Sequence, residues 1–119
     1  MNRILLLTFV FMLCFVNDSF SQQLNGNWQG SIDVQGTQLN IITTFSQTDD
    51  DIIGTIDIPQ QGASDIPLEK ISVTESDSVF FQFKAGLGLA KFKGVFMDSN
   101  KIEGEFHQRG MNFPFQLVK

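Results

Sequence analysis

One five-residue pattern, apolar-x-Gly-x-apolar, constrains the fold of this chain more than any other feature. It occurs four times, at Trp28–Ile32, Ile52–Ile56, Phe92–Phe96 and Ile102–Phe106. The central glycines are Gly30, Gly54, Gly94 and Gly104. In a strand, residues i, i+2 and i+4 share one face, so each glycine is expected between two large apolar groups on the core side. Because glycine weakens a strand interior, its repeated use indicates a bend, a closed barrel or close backbone approach; we interpret the glycines as coiling the sheet and making room for neighbouring aromatic side chains.

Residues 1–21 have the features of a signal peptide. Arg3 gives a positive start, residues 4–16 are apolar, and Ser19-Phe20-Ser21 places small residues where a signal peptidase cleaves. We expect cleavage after Ser21 and a mature domain of residues 22–119 in the periplasm or outside the cell. The apolar run is shorter than the roughly 20 residues of a membrane-spanning helix. Cys14 is the only cysteine and lies in this segment, so no disulfide or thiolate chemistry is expected in the mature chain.

Alternating apolar and polar residues dominate the rest of the chain and predict eight strands. The expected ranges are 27–34, 37–46, 51–58, 66–75, 78–84, 90–97, 101–108 and 111–118. One face of these strands is apolar and the other is polar, and on this alternation Gln82 and Phe80 face solvent. The predicted fold is therefore all-β, an eight-stranded antiparallel up-and-down barrel. Eight strands leave room inside for side chains or one small ligand, and filling by the inward phenylalanines is the favoured interpretation.

The connections divide between the two ends of such a barrel. The end with the chain termini is expected to be tight and acidic, with residues 49–51 forming a run of aspartates. The opposite end has the two longest predicted connections, Pro59–Pro67 and Lys84–Ala90. Binding residues concentrate on loops that a rigid scaffold holds, so this second end is the expected binding end. The candidate ligand- or partner-contacting residues there are Gln60, Gln61, Leu87 and Leu89.

Composition and motifs argue against enzymatic and nucleic-acid-binding functions. The net charge is -5 without a basic cluster, which disfavours binding to phosphate backbones and to anionic membranes. The single histidine, His107, is expected on the solvent face, and the sequence has no G-x-S-x-G elbow or phosphate-binding loop. Residues 49–51 lack the spaced ligand pattern of a calcium loop. We expect no enzymatic activity, no metal and no cofactor.

Two resemblances to known families support an exported barrel. Gly26-Asn27-Trp28 resembles the G-x-W opening of lipocalins, a family in which an Arg or Lys packs across the Trp ring. This resemblance implies a lipocalin-like barrel. Arg109 is expected at the far end of the barrel from Trp28, and Lys119 is expected nearer to it.

A longer resemblance is to the N-terminal β-barrel domain of secreted α/β-hydrolases of the Bacteroidetes. It is carried by Gly26–Gly30, Val34–Gly36, Gly54–Ala63, Ile66-Pro67, Ile102–Phe106 and Phe113-Pro114. The resemblance implies a non-catalytic module without the hydrolase nucleophile. We expect a binding or accessory module that contacts a partner protein, such as a secreted hydrolase, or a small hydrophobic ligand. The alternative is a remnant or split N-terminal domain of a secreted serine esterase or peptidase, without activity of its own.

Overall fold

A computed structural model describes residues 23–74, 77–86 and 88–119. The expected signal peptide (residues 1–21) and the candidate residue Leu87 lie outside the described residues. Within the described part, the chain forms nine strands and a short 3-10 helix at Pro59–Gln61. The strands are β1 (Gly26–Val34), β2 (Thr37–Thr48), β3 (Asp51–Ile58), β4 (Ala63–Pro67), β5 (Glu69–Val73), β6 (Ser78–Ala85), β7 (Gly88–Asp98), β8 (Lys101–Gln108) and β9 (Met111–Val118).

All nine strands belong to one antiparallel sheet that is nearly closed into a barrel. Their order is β4-β3-β2-β1-β9-β8-β7-β6-β5, so the first and last strands of the chain are neighbours. Gly30 of β1 lies opposite Leu117 of β9 in this pairing. The strands at the two edges of the sheet, β4 and β5, are consecutive in the chain and are separated only by Leu68. The predicted all-β, antiparallel, barrel-like architecture is confirmed. The predicted number of eight strands was wrong, because the sheet has nine in the described part of the chain.

The error lies at the fourth predicted strand, because the described residues of its range, 66–74, do not form one continuous strand. Apolar residues fall at positions 66 and 68 and then at 71 and 73, so the alternation slips by one residue. At this slip β5 contains a bulge: Glu69 pairs with Gln82 and Ser72 pairs with Phe80. Lys70, within the bulge, has a left-handed φ of 53°. Bulges bend a strand and increase its twist, which separates β5 from β4.

A second bulge on the other side of Leu68 completes the bend. Between its pairings with Ile56 and Ile58, β4 shifts register, and Asp65 has a left-handed φ of 54°. The Asp57 carboxylate accepts a hydrogen bond of 2.7 Å from the Asp65 backbone N–H. The Leu68 N–H donates to the Gly54 carbonyl at 2.9 Å. The chain thus leaves β3 through β4 and reaches β6 through β5, which brings the two edges of the sheet close together without pairing them.

Aromatic rings fill the middle of the barrel. Phe92 lies at the centre of this cluster, stacked on Phe81 with ring centroids 4.6 Å apart. Phe106 lies 4.8 Å from Phe92, and Phe115 packs against it edge-on at 5.1 Å. The fully or nearly fully buried side chains include Leu24, Trp28, Ile32, Ile41, Phe45, Ile56, Phe81, Phe92, Ile102 and Leu117. The interior is therefore a packed core at this level.

The end of the barrel that carries the termini is plugged by Leu24 and Trp28. Both side chains are fully buried, and the Trp28 indole Nε1–H donates to the Leu24 carbonyl at 2.8 Å. The Lys119 ammonium lies 5.4 Å from the centroid of the Trp28 ring and donates to the Gln23 carbonyl at 2.9 Å. The cation across this tryptophan is thus Lys119. These contacts tie the start of the described chain to its last residue.

Two polar side chains, Gln82 and Thr43, are buried, and the burial of Gln82 departs from the predicted alternation. Gln82 is only 5% exposed, so its predicted solvent exposure was wrong, and Phe80 on the same face is half-buried. Gln82 lies opposite Glu69 at the start of the β5 bulge, where the pairing register between β5 and β6 shifts. Thr43 lies on the inward face between Ile41 and Phe45 and is fully buried. Its Oγ1 has no hydrogen-bond partner among the described residues.

Candidate functional site

The two ends of the barrel differ in how they are filled rather than in the length of their connections. The predicted Pro59–Pro67 connection contains the 3-10 helix and all of β4, and the predicted Lys84–Ala90 loop is mostly strand. The expectation of two long loops at the end away from the termini was therefore wrong. The sheet continues through these segments because their backbone groups find partners in β3 and across the β6–β7 hairpin.

An apolar pocket opens into the barrel at the end away from the termini. We call it the mouth pocket; its volume is about 520 Å³. The buried rings of Phe83 and Phe106 are among its deepest residues, next to Ile32 and Ile58. The lining residues are Ile32, Val34, Thr37, Leu39, Ile58, Gln61, Phe83, Ala85, Phe106, Gln108, Arg109, Met111 and Phe113. The rings of Phe83 and Phe106 in its wall belong to the aromatic cluster around Phe92.

Polar side chains of the mouth pocket sit where strands end. Thr37 begins β2, Gln108 ends β8, Gln61 closes the 3-10 helix, and Arg109 is in the turn between β8 and β9. This turn has two residues, with φ of 53° at Arg109 and 75° at Gly110. Positive φ at both positions is typical of the type I′ hairpin, whose twist matches that of the strands. The tight turn holds Arg109 at the rim of the pocket.

Of the four candidate contact residues, the structure places one in the mouth pocket. Gln61 lines it. Leu89 is 40% exposed and pairs with Lys84, while its neighbour Ala90 is fully buried, so Leu89 lies on the outer face of β7. Leu87 lies outside the described residues. Gln60 is engaged with the backbone of β2.

The side-chain amide of Gln60 takes the place of a neighbouring strand. Its Oε1 accepts from the Asn40 backbone N–H at 2.5 Å, and its Nε2 donates to the Gln38 carbonyl at 3.1 Å. The ladder between β2 and β3 begins only at Ile42, so these two groups of β2 lie beyond the reach of β3. Unpaired strand edges recruit other strands, and the Gln60 amide occupies this one.

The sequence patterns did not predict most lining residues of the mouth pocket as binding residues. Val34, Leu39 and Phe113 have the inward parity of core residues, and each is only partly buried. The sequence feature that could have identified them is their position, since each lies within a few residues of a turn at the end of the barrel away from the termini. Arg109 gave the second signal, because it is a cation in a turn that adjoins these positions.

Hollows on the outside of the barrel are less suited to an apolar ligand. Two of them, with volumes of about 540 and 530 Å³, flank β8 and share Glu103, Gly104 and Glu105. Exposed Val95 contributes to both. Both are open to solvent and lined by charged side chains, so a ligand there would stay largely hydrated. The mouth pocket is more enclosed and carries a single charged side chain among its described lining residues.

Reactive side chains in the described residues are dispersed over the surface. His107 Nδ1 contacts Asn112 Oδ1, its cross-strand neighbour on the outer face of β8 and β9. No three His, Cys, Asp or Glu side chains of the described residues are grouped as metal ligands. Within the same residues, no helix combines the length and apolar character of a membrane span.

Comparisons with models of known protein families, with curated proteins and with solved structures found no match to this chain. The geometry of the barrel and of its mouth pocket is therefore the guide to function.

Proposed function

We propose that this protein is an exported, non-catalytic binding module that takes a small hydrophobic ligand into the mouth pocket. The observation that carries the proposal is the asymmetry of the barrel interior. One end is plugged by Leu24 and Trp28, whereas the other end leaves a pocket of about 520 Å³ among apolar side chains. Pockets of roughly 300–1,000 Å³ with apolar walls and a few polar groups are typical small-molecule sites.

The size and position of the pocket suit a ligand that enters end-on. Val34, Leu39 and Phe113 are only partly buried, and Met111 at the rim is 48% exposed. A ligand that covers these side chains removes apolar surface from water, which stabilises the complex by about 25 cal/mol per Å² before the cost of association. The turns around the entrance are short and tied by the sheet, so little ordering is needed on binding.

The chemistry of the chain supports a binding role without catalysis, and the N-terminal segment supports export. His107 contacts Asn112 on the outer face and does not line the pocket, and no serine lines it among the described residues. Residues 1–21 have the charge, apolar run and small residues of a signal peptide.

Filling the mouth pocket tests the proposal. Ala85 lines the pocket near the end of β6, and Ala85→Phe should occupy its volume. We expect this variant to bind decanol at least about tenfold more weakly than the parent, a difference of about 1.4 kcal/mol. Titration calorimetry with decanol gives the affinity. The matched control is Lys84→Phe, which adds the same ring at the neighbouring exposed position on the opposite face.

The fluorescence of Trp28 distinguishes a blocked pocket from a damaged fold. Trp28 is the only tryptophan and lies at the plugged end, so its spectrum should be the same in the parent and in both variants. Binding of decanol to Ala85→Phe with parental affinity, together with an unchanged spectrum, would exclude the mouth pocket as the site.

A further inference from the structure

We infer that the ligand of the mouth pocket is an amphiphile with an anionic head, a carboxylate on an alkyl tail, whose head group is bound by Arg109 at the rim. This inference rests on the proposed function and specifies the class of ligand. It follows from three properties of the pocket: a gradient of polarity from depth to rim, the chemical type of the rim groups, and the free guanidinium of Arg109.

The pocket becomes polar only at its rim. Its buried wall consists of apolar side chains such as Ile32, Phe83 and Phe106. The polar lining residues lie where strands end, in a turn or at the end of the 3-10 helix; they are Thr37, Gln61, Gln108 and Arg109. A ligand that matches this arrangement has an apolar tail in the barrel and a polar head at the entrance. A wholly apolar ligand would leave the rim groups hydrogen-bonded to water alone.

The rim groups are all able to donate hydrogen bonds. Threonine offers a hydroxyl, each glutamine offers two amide N–H groups, and arginine offers a planar fork of five donors without any acceptor. No Asp or Glu is found among the described residues that line the pocket. The chain as a whole is acidic, with thirteen acidic and eight basic residues. The described rim residues, by contrast, include one cation and no carboxylate. Such a rim favours an anionic head and disfavours an amine.

Arg109 is available to bind this head group. No carboxylate in the described part of the chain forms an ion pair with it; the pair found there joins Lys101 to Glu103 at 3.0 Å. The Arg109 side chain is exposed, and its backbone is fixed by the two-residue turn. Guanidinium binds carboxylate through two parallel hydrogen bonds. An arginine whose backbone is fixed by a tight turn therefore orients the carboxylate of the ligand as well as attracting its charge.

The probes are decanoate, decanol and decylamine, which share one tail and differ in the head. In low-salt buffer we expect the parent to bind decanoate about three- to fivefold more tightly than decanol, the range of an exposed ion pair of about 1 kcal/mol or less. Decylamine should bind more weakly than decanol. The preference for decanoate should diminish as salt is added, because an exposed pair is screened.

Three variants assign the preference to Arg109. Arg109→Asn removes the charge with a residue that tolerates left-handed φ, and it should bind decanoate and decanol equally. Arg109→Lys keeps a cation at the rim and should retain most of the preference. Lys84→Gln removes the same charge from an exposed position at the same end that does not line the pocket, and it should behave as the parent.

The outcomes separate the inference from the function on which it rests. If the parent binds decanoate and decanol with one affinity, the head-group inference fails and the hydrophobic site stands. If Lys84→Gln loses the preference for decanoate over decanol as fully as Arg109→Asn does, the preference comes from the overall charge of the surface. Arg109 is then not the residue that binds the head group. If the parent binds none of the three probes, the proposed function itself fails. Binding to vesicles of anionic phospholipid as tight as binding to decanoate would overturn the assignment to a free carboxylate.

Discussion

Replacing Gly104 by alanine tests most directly how the glycines shape this barrel. Gly104 of β8 lies opposite Gly94 of β7, between the buried side chains of Ile102 and Phe106. A Cβ at Gly104 would lie 2.0 Å from the Lys93 carbonyl oxygen and 2.4 Å from the Gly94 Cα. Both neighbours are backbone atoms, so no side-chain rotation relieves the clash.

The magnitude follows from how far the strands have to separate. The 2.0 Å approach has to grow beyond 3.0 Å, the distance below which Cβ atoms essentially never approach another heavy atom. Separation of β7 from β8 stretches one or two ladder hydrogen bonds of about 0.5–1.5 kcal/mol each, and it loosens the packing around Phe106. Together with an overpacking cost of about 1–3 kcal/mol, we expect Gly104→Ala to lower the free energy of unfolding by about 3 kcal/mol.

Urea unfolding followed by Trp28 fluorescence measures this loss as a shift in midpoint at constant m. In a domain of this size, about 3 kcal/mol corresponds to roughly 12–24 °C in melting temperature. The matched control is Gly88→Ala, since a Cβ at Gly88 would meet no atom within 4 Å and its φ is not left-handed. That variant should match the parent or gain up to about 1 kcal/mol. A free energy of unfolding for Gly104→Ala within about 0.5 kcal/mol of the parent would refute the close approach of β7 and β8.

Two further predictions concern the plugged end and the edge of β2. Leu24→Ala should lower the free energy of unfolding by about 2–5 kcal/mol, because the side chain is fully buried against the core and its removal leaves a cavity. Calorimetric melting measures this loss of stability. A loss under about 1 kcal/mol would show that Leu24 is not part of the core. Gln60→Ala should cost about 1 kcal/mol and increase self-association, because the Asn40 N–H and the Gln38 carbonyl lose their partner. Light scattering alongside urea unfolding checks this variant against Gln61→Ala, and equal behaviour of the two would contradict the role of Gln60.

The candidate site could be predicted only in part from the sequence. The alternation of apolar and polar residues by itself places Val34, Leu39 and Phe113 on the inner face, and counting strands gives the end of the barrel to which they belong. Whether inward residues fill the barrel or leave a pocket depends on ring packing around Phe92, which the linear pattern does not contain. Gln60 and Leu89 illustrate the limit: both fell in predicted loops, yet one side chain bonds to β2 and the other lies on the outer face of β7.

The sequence by itself determined the strands. Seven of the eight predicted ranges agree with observed strands to within two residues at each end, because alternation and turn residues act over a few neighbours along the chain. The tertiary structure decided how the two edges of the sheet meet: bulges at Asp65 and Lys70 lie on either side of Leu68, where the chain passes from β4 to β5. It also decided that Leu24 plugs one end while the other stays open. These features depend on contacts between residues far apart in the chain, whose free energy is gained only when the whole sheet has assembled.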